Sequence, residues 1–122
     1  MNQVLKTAAG KIKCLTLDID GVLTDGTVFF DETGECLKAF NSLDGHGIRL
    51  LMEHGIQIAI ISGRNSPIIH KRLSEFGVKH FYLGRLDKVN ACRDLLTTLN
   101  ITPEQMAYIG DDLPDLPLIE QV

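Results

Sequence analysis

The chain has 122 residues, of which 44% are hydrophobic and 23% are charged. This composition is typical of a soluble globular protein and predicts a single domain over residues 1–122. That length is short for a complete doubly wound α/β enzyme, so we expect a truncated fold. No apolar run is long enough to span a bilayer and no secretory signal opens the sequence, so we expect a cytoplasmic protein without a membrane role.

Charge content bears on nucleic-acid binding, and cysteine content bears on the redox state of the thiols. Twelve basic residues stand against sixteen acidic ones, which gives a net charge of −4, and no basic run is interleaved with aromatic residues. We therefore expect no nucleic-acid partner. The three cysteines, Cys14, Cys36 and Cys92, lie far apart without a CxxC pair, which predicts reduced, mostly buried thiols.

The first third of the chain predicts a buried strand, a hairpin and a helix. The apolar run from Lys13 to Ile19 is typical of a buried parallel strand that meets a loop. Two further apolar runs flank the polar residues 31–34, which predicts a β-hairpin over about residues 26–40. Asp44 can cap a helix that ends near Gly55.

The rest of the chain alternates short apolar runs with stretches of helical periodicity. These predict a strand over Ile56–Ile61, a helix over Pro67–Phe76, a strand over His80–Leu83, a helix over about Lys88–Leu99, a strand over Met106–Ile109 and a helical segment after Pro114. The alternation indicates an α/β fold with a doubly wound parallel sheet and helices on both faces. In such a sheet, ligands bind beyond the carboxyl ends of the strands.

Three of the predicted strands end in polar residues, so these residues should converge. The segments are Asp18-Ile19-Asp20-Gly21, Ser62-Gly63-Arg64 and Gly110-Asp111-Asp112. Residues two apart in an extended chain point to the same side, so Asp18 and Asp20 can both face one pocket. Asp111 adds a third oxygen donor of the kind that Mg²⁺ prefers. The sequence therefore predicts a magnesium site.

The same segments resemble the signatures of the haloacid dehalogenase superfamily of phosphatases. Its first signature, DxDGxxTD in many members, stands here as DIDGVLTD from Asp18 to Asp25. Ser62, Lys88 and the run GDDLPD from Gly110 to Asp115 follow in the family's order and at compatible spacing. The resemblance implies a Rossmann-like fold and a phosphatase that works through an aspartyl phosphate.

The resemblance also implies a role for each matched residue. Asp18 is then the nucleophile, and Asp20 gives a proton to the leaving group and later takes one from water. Mg²⁺ would be held by Asp18, a backbone carbonyl at Asp20, and Asp111, with Asp112 and Asp115 outside its direct ligands. The phosphate-binding residues would be Ser62, Gly63 and Lys88.

A closer resemblance narrows the range of substrates that we expect. The block AFNSLDGHGI from Ala39 to Ile48, with the hairpin before it, is similar to the 3-deoxy-D-manno-octulosonate 8-phosphate (KDO 8-phosphate) phosphatases. The substrate-binding residues that this resemblance implies, besides Asp20 and the phosphate-binding set, are Asn41, Ser42, Leu43, Asp44, Gly45, Arg49, Arg64 and Arg72. Guanidinium groups suit a substrate that carries both a carboxylate and a phosphate. Several members have an arginine at the position of Leu43.

The same resemblance implies hydrolysis of KDO 8-phosphate in lipopolysaccharide precursor synthesis by a homotetramer whose hairpins line a shared centre. The family's fold continues with another strand, a helix and a tail, so we expect the carboxyl-terminal part to be absent beyond Val122. Two alternatives stay open. One is a phosphatase for a related nine-carbon sugar acid phosphate, and the other is a catalytically idle oligomerisation module.

Simpler interpretations exist for several of these residues taken singly. Ser62 and Gly63 are also compatible with an ordinary strand-to-helix turn. Arg72 sits on a predicted helix, where a solvated side chain is the usual case. Phe29 and Phe30 are more typical of packing residues than of a ligand-stacking surface.

Overall fold

The computed structural model describes the backbone of residues 1–122 and every side chain except that of Cys36. The helices and strands are, in order, α1 (Gln3–Ala9), β1 (Cys14–Leu17), β2 (Phe29–Asp31), β3 (Gly34–Leu37), α2 (Ser42–Glu53), β4 (Gln57–Ile61), α3 (Pro67–Phe76), β5 (His80–Tyr82), α4 (Lys88–Leu99), β6 (Met106–Ile109) and α5 (Leu116–Ile119). Short 3₁₀ turns cover Pro103–Gln105 and Leu113–Asp115. Within the described part of the chain, no helix combines the length and apolarity that crossing a membrane would take.

Four strands form a parallel sheet in the order β5-β4-β1-β6. Leu17, the last residue of β1, pairs with Ile60 of β4 on one side and with Ile109 of β6 on the other. The predicted parallel sheet is therefore confirmed, and β1 lies inside it. Because all four strands run the same way, the residues that follow β1, β4 and β6 emerge at one edge of the sheet.

The sheet is covered by helices on both faces, as predicted. Along β4, Ile58 and Ile60 belong to the core cluster that includes residues of α2 and α3, whereas Ala59 and Ile61 belong to the cluster that includes residues of α4 and α5. Successive residues of a strand point to opposite faces, so a strand between two helical layers must be apolar at nearly every position. This explains why β4 is apolar at every position from Ile58 to Ile61, after the exposed Gln57 at its start.

The predicted hairpin is confirmed as the antiparallel pair β2 and β3, which forms a separate two-stranded sheet. It leaves the chain between β1 and α2, and both of its strands are shorter than the apolar runs that predicted them. Phe30 and Leu37 are exposed on it. The hairpin therefore projects from the α/β layers instead of packing into their core.

Local capping explains where the helices begin and end. The helix α3 starts after Ser66, whose side chain accepts a hydrogen bond from the Ile69 N–H, and it stops at Gly77 with φ 82°, as the sequence predicted. The prediction that Asp44 caps α2 is wrong, because Asn41 fills that position and accepts from the Leu43 N–H. Asp44 instead lies in the first turn of α2, where an acidic side chain is favoured by the helix dipole.

The helix α1 was not predicted from the sequence. It contains no buried residue, so it carries no core-facing apolar period that would reveal it. The side chain of Asn2 caps it by accepting from the Leu5 N–H. Local hydrogen bonding, not burial of an apolar face, therefore defines this helix.

Two of the cysteines match the expectation of reduced, buried thiols. Cys14 and Cys92 are free and buried, and burial raises the pKa of both thiols. The expectation for Cys36 concerns a side chain outside the described residues.

Candidate active site

The carboxyl ends of β1, β4 and β6 open onto one cleft with a volume of about 380 Å³. The cleft brings together seven of the site residues that were predicted from the sequence, namely Asp18, Asp20, Ser62, Gly63, Arg64, Lys88 and Asp111. They come from segments as far apart in the sequence as Asp18 and Asp111, and the parallel topology makes them neighbours. This cleft is the candidate active site.

Carboxylate oxygens converge at the floor of the cleft. One oxygen each from Asp18, Asp111 and Asp115 lie within 4.8 Å of one another. A set of carboxylate oxygens without thiolate or imidazole donors fits a hard divalent cation such as Mg²⁺. The Asp20 side chain is not part of this cluster, and a contribution of its backbone carbonyl to metal binding stays a prediction.

The third carboxylate of the cluster, Asp115, is already saturated by hydrogen bonds. Its Oδ1 accepts from Lys88 Nζ at 2.6 Å and from the Tyr108 hydroxyl, and its Oδ2 accepts from the Asp111 N–H at 3.0 Å. Both of its oxygens are therefore engaged, whereas the Asp111 carboxylate accepts no hydrogen bond from any residue with a described side chain. Both oxygens of Asp18 are engaged as well, by the Ile19 N–H at 2.7 Å and by Lys88 at 3.1 Å, so Asp111 has the least engaged carboxylate of the three. Asp115 holds Lys88, Tyr108 and the Asp111 backbone in place.

Lys88 neutralises the two buried carboxylates. It opens α4 and is itself buried, with Nζ 3.1 Å from Asp18 Oδ2 and 2.6 Å from Asp115 Oδ1. A buried ammonium is tolerated only when it is paired in this way. The position of Lys88 between the two aspartates leaves it close enough to contact a phosphate that approaches Asp18.

The pKa shifts in the cleft follow from burial and from these contacts. Burial raises the pKa of Asp18, although the hydrogen bond from the Ile19 N–H and the charge of Lys88 act in the opposite direction. Burial acts in the same way on Asp115, but hydrogen bonds from Lys88 and Tyr108 outweigh it and lower the pKa of that carboxyl. Burial and the neighbouring Asp115 raise the pKa of Tyr108, which keeps its phenol protonated and donating.

Asp20 sits in a different environment, between two cations. Lys38 Nζ lies 2.5 Å from its Oδ1, and Arg64 Nε lies 3.0 Å from its Oδ2. Glu35 lies close to both cations, 3.4 Å from Lys38 and 3.6 Å from Arg64. Asp18 and Asp20 are thus two positions apart but have separate partners.

Sequence reasoning missed Lys38, Glu35, Tyr108 and the degree to which Asp115 is buried. Asp115 is the last residue of the recognised Gly110–Asp115 run, and Tyr108 lies two residues before that run, so its position was a usable signal. Lys38 and Glu35 had no such signal, because Lys38 contacts Asp20, and Glu35 contacts Lys38 and Arg64, only through the direction in which the hairpin folds back.

The remaining predicted substrate residues lie outside this cleft. Asn41 and Asp44 line a neighbouring cavity of about 420 Å³. Another, of about 310 Å³, is lined by Ser42, Gly45, Arg49 and Arg72. Leu43 is 76% exposed. The chain by itself does not bring these residues to Asp18, and their contact with substrate stays a prediction.

Both arginines of this second group are engaged near the end of α3. Arg49 donates to the Glu75 carbonyl at 3.1 Å, and Arg72 pairs with the Glu75 carboxylate at 3.0 Å. The Arg72 guanidinium also lies 4.2 Å from the centre of the Phe76 ring, a cation–π contact. These contacts give both side chains a structural role independent of any ligand.

Comparisons with known proteins agree with this geometry. The sequence profile of the haloacid dehalogenase-like hydrolases matches residues 30–122. The 3-deoxy-D-manno-octulosonate 8-phosphate phosphatase KdsC of Haemophilus influenzae is 51% identical over 106 residues, which are 87% of this chain and 59% of that protein. The enzyme of the same name from Yersinia pestis is 47% identical over 114 residues, 93% of this chain and 61% of that protein. The chain thus spans about 60% of the length of these curated relatives.

Solved structures extend the similarity to the fold. The cobalt-bound deoxy-D-mannose-octulosonate 8-phosphate phosphatase of Haemophilus influenzae matches with a TM-score of 0.92 at 47% identity, covering 93% of this chain and 67% of that one. The 3-deoxy-D-manno-octulosonate 8-phosphate phosphatase of Moraxella catarrhalis, solved with a magnesium ion, a phosphate ion and a KDO molecule, matches with a TM-score of 0.93 at 38% identity. It covers 99% of this chain and 70% of that one.

Gly21 provides a test of the carboxylate cluster. It has φ 81°, and a β-carbon added there would overlap the Asp111 carboxylate. Gly21→Ala should therefore displace Asp111 and weaken Mg²⁺ binding, which titration calorimetry measures. Gly26→Ala is the matched control, because Gly26 has φ 88° but an added β-carbon there meets nothing closer than 3.8 Å. Each variant should lose roughly 1–2 kcal/mol of stability from the left-handed backbone alone.

Only Gly21→Ala should also lose affinity for Mg²⁺. Equal affinities in the two variants would show that the close approach of Gly21 to Asp111 has no part in metal binding.

Proposed function

Because this chain belongs to the haloacid dehalogenase-like hydrolases, we propose that it is a cytoplasmic, magnesium-dependent phosphatase that hydrolyses KDO 8-phosphate to KDO and phosphate in lipopolysaccharide precursor synthesis. The observation that carries the proposal is the arrangement of Asp18, Lys88 and Asp111 at the end of a central strand. The names of the relatives support the substrate. The ligands of the Moraxella catarrhalis structure support both the substrate and the metal.

In this proposal, Asp18 attacks the phosphorus atom and the bond to the leaving oxygen breaks, which produces an aspartyl phosphate. Lys88 balances the negative charge that gathers around Asp18, and Ser62 with the Gly63 amide donates hydrogen bonds to phosphate oxygens. Asp18, Asp111 and the backbone carbonyl of Asp20 would hold Mg²⁺, whose positive charge would lower the repulsion between the Asp18 carboxylate and the phosphate.

Asp20 carries the proton in both half-reactions. It gives a proton to the departing alkoxide of the sugar, and it takes one from the water that attacks the aspartyl phosphate. Breaking the bond between Asp18 and phosphorus then frees inorganic phosphate. Asp20 suits this task because it lines the cleft but is not a member of the carboxylate cluster formed by Asp18, Asp111 and Asp115.

The substrate proposal depends on arginines as well as on the relatives. Arg64 is 43% exposed in its side chain and lines the cleft, so it can turn towards a substrate carboxylate. Arg49 and Arg72 are proposed contacts from the family resemblance alone. A nine-carbon sialic-type acid phosphate shares the same two anionic groups and is the alternative substrate.

A substrate panel tests the proposed activity. Release of inorganic phosphate should require Mg²⁺ and should be fastest, judged by kcat/KM, with KDO 8-phosphate. The panel includes a nine-carbon sugar acid 9-phosphate and glucose 6-phosphate, which lacks a carboxylate. Preference for the nine-carbon acid would select the alternative substrate, and preference for glucose 6-phosphate would overturn the sugar acid proposal.

Two substitutions test the proposed mechanism. Asp18→Asn removes the anionic nucleophile and should abolish the phosphoenzyme, whereas Asp20→Asn keeps the nucleophile and loses acid–base help typically worth about 10²–10⁴-fold. Rapid-quench mass spectrometry should detect the added phosphoryl mass on Asp18 in the wild type and in Asp20→Asn only. Full magnesium-dependent turnover by pure Asp18→Asn would refute the mechanism.

We also propose that the protein forms a homotetramer through residues 27–37. Phe30 and Leu37 are 62% and 55% exposed on the hairpin, and an isolated two-stranded hairpin is only marginally stable. Light scattering at micromolar concentration should give a tetramer for the wild type and smaller species for Phe30→Glu. Val4→Glu is the control, because Val4 is also exposed but lies on α1.

A monomeric wild type would contradict this assembly. A wild type that assembles but releases no phosphate from any substrate would instead favour the second candidate function, a catalytically idle oligomerisation module. The exposed apolar residues of the hairpin are the observation that favours that alternative.

A further inference from the structure

Lys38 is a buried cation that the proposed mechanism does not use. It follows β3 directly, at the base of the hairpin, and its side chain has no solvent exposure. Nζ lies 2.5 Å from Asp20 Oδ1 and 3.4 Å from Glu35 Oε1. Burying an ammonium is unfavourable unless close anions compensate it, so Lys38 depends on these two contacts and constrains both partners.

The contacts of Lys38 belong to a network that joins three parts of the chain. Asp20 comes from the loop after β1, Glu35 from the hairpin, and Arg64 from the loop after β4. Glu35 lies between the two cations and also accepts a hydrogen bond from the Ser66 hydroxyl at 3.3 Å. The hairpin is therefore attached to the catalytic loop within a single chain.

The two cations that pair with Asp20, Arg64 and Lys38, differ in solvent exposure. Arg64 is 43% exposed in its side chain, so water can replace it and its guanidinium can turn towards a ligand. Lys38 is enclosed and cannot be replaced by water. Oδ1 of Asp20 is consequently the oxygen with a fixed position, and Oδ2 is the oxygen whose partner can leave.

We propose that Lys38 is a positioning residue that holds the Asp20 carboxylate in the orientation needed to protonate the leaving oxygen of a phosphate ester. The inference rests on the phosphatase activity proposed above. It makes the hairpin a part of the catalytic machinery of its own chain, in addition to any role in assembly. Without Lys38, Asp20 keeps only the exposed guanidinium of Arg64 and loses its fixed orientation.

Two substrates with different leaving groups can show whether Lys38 positions Asp20 or only stabilises the fold. A sugar alkoxide is a poor leaving group and needs a proton as it departs, whereas p-nitrophenolate needs little help. Loss of Lys38 should therefore slow the first step with a sugar phosphate far more than with p-nitrophenyl phosphate. A distorted cleft would slow both substrates to a similar extent, because both use Asp18, Lys88 and Mg²⁺.

Lys38→Met tests the proposal, since methionine fills a similar volume without the charge. At saturating substrate and Mg²⁺, rapid-quench measurement of phosphoenzyme formation should show a loss of about 10²-fold with KDO 8-phosphate, the size expected when a catalytic group is misplaced by about 1 Å. With p-nitrophenyl phosphate the loss should stay below about tenfold, because departure of that group needs little proton transfer.

Lys79→Met is the matched control, because Lys79 is exposed and precedes β5 at the opposite end of the sheet. It should leave both rates at the wild-type value. Lys38→Arg restores a cation and should recover part of the rate with the sugar phosphate.

A double-mutant cycle checks the contact without any catalysis. The urea midpoints of Lys38→Met, Asp20→Asn and the double variant are measured without metal. Residues in direct contact are not additive, so the double variant should lose less than the sum of the single losses. Additive losses would overturn the inference even where Lys38→Met proves too unstable for kinetics.

The kinetic results also distinguish failure of the proposed phosphatase activity from failure of the proposed role of Lys38. A wild type that forms no phosphoenzyme overturns the proposed function and this inference with it. An active wild type whose Lys38→Met variant slows equally with both substrates overturns this inference alone.

Discussion

The ion pairs of Lys88 are the contacts on which the rest of the candidate site depends. Parallel strands bring Asp18, Asp111 and Asp115 to one edge of the sheet, and carboxylates at that distance repel one another. Lys88 contacts two of them from inside the protein. Removing one partner of a buried ion pair typically costs about 3–5 kcal/mol, because the other charge is left uncompensated. In the absence of metal, Lys88 is therefore the charge that offsets the carboxylates of Asp18 and Asp115.

Asp18 and Asp20, in the loop after β1, pair with different cations. Asp18 is nearly buried and faces Lys88, whereas Asp20 faces Lys38 and Arg64. Residues two apart point to the same side of an extended chain, but β1 ends at Leu17 and the chain already bends at Ile19, between the two aspartates. One short segment thereby supplies two carboxylates with different neighbours, which is the arrangement that a nucleophile and a separate proton carrier require.

Much of the fold could be predicted because local signals agreed with one another. The bounds of α3 and β6 match the prediction, since α3 has Ser66 and Gly77 at its ends and β6 is an apolar run between two turns. The start of α2 was misplaced because Asn41 and Asp44 are both acceptable caps, and only backbone geometry selects one of them. A helix such as α1, which buries nothing, has no periodicity to find.

The residue pattern was enough to predict the parallel sheet, the order of its strands along the chain, and the convergence of Asp18, Ser62, Lys88 and Asp111 at its carboxyl edge. It could do so because the end of a parallel strand has the same location in every such sheet. The folded chain was needed to show that Lys38 pairs with both Asp20 and Glu35, and that Arg49 and Arg72 pack beside Glu75 away from the cleft. Those contacts depend on the direction in which a hairpin folds back and on how two helices pack, and neither is encoded in the spacing of residues along one element.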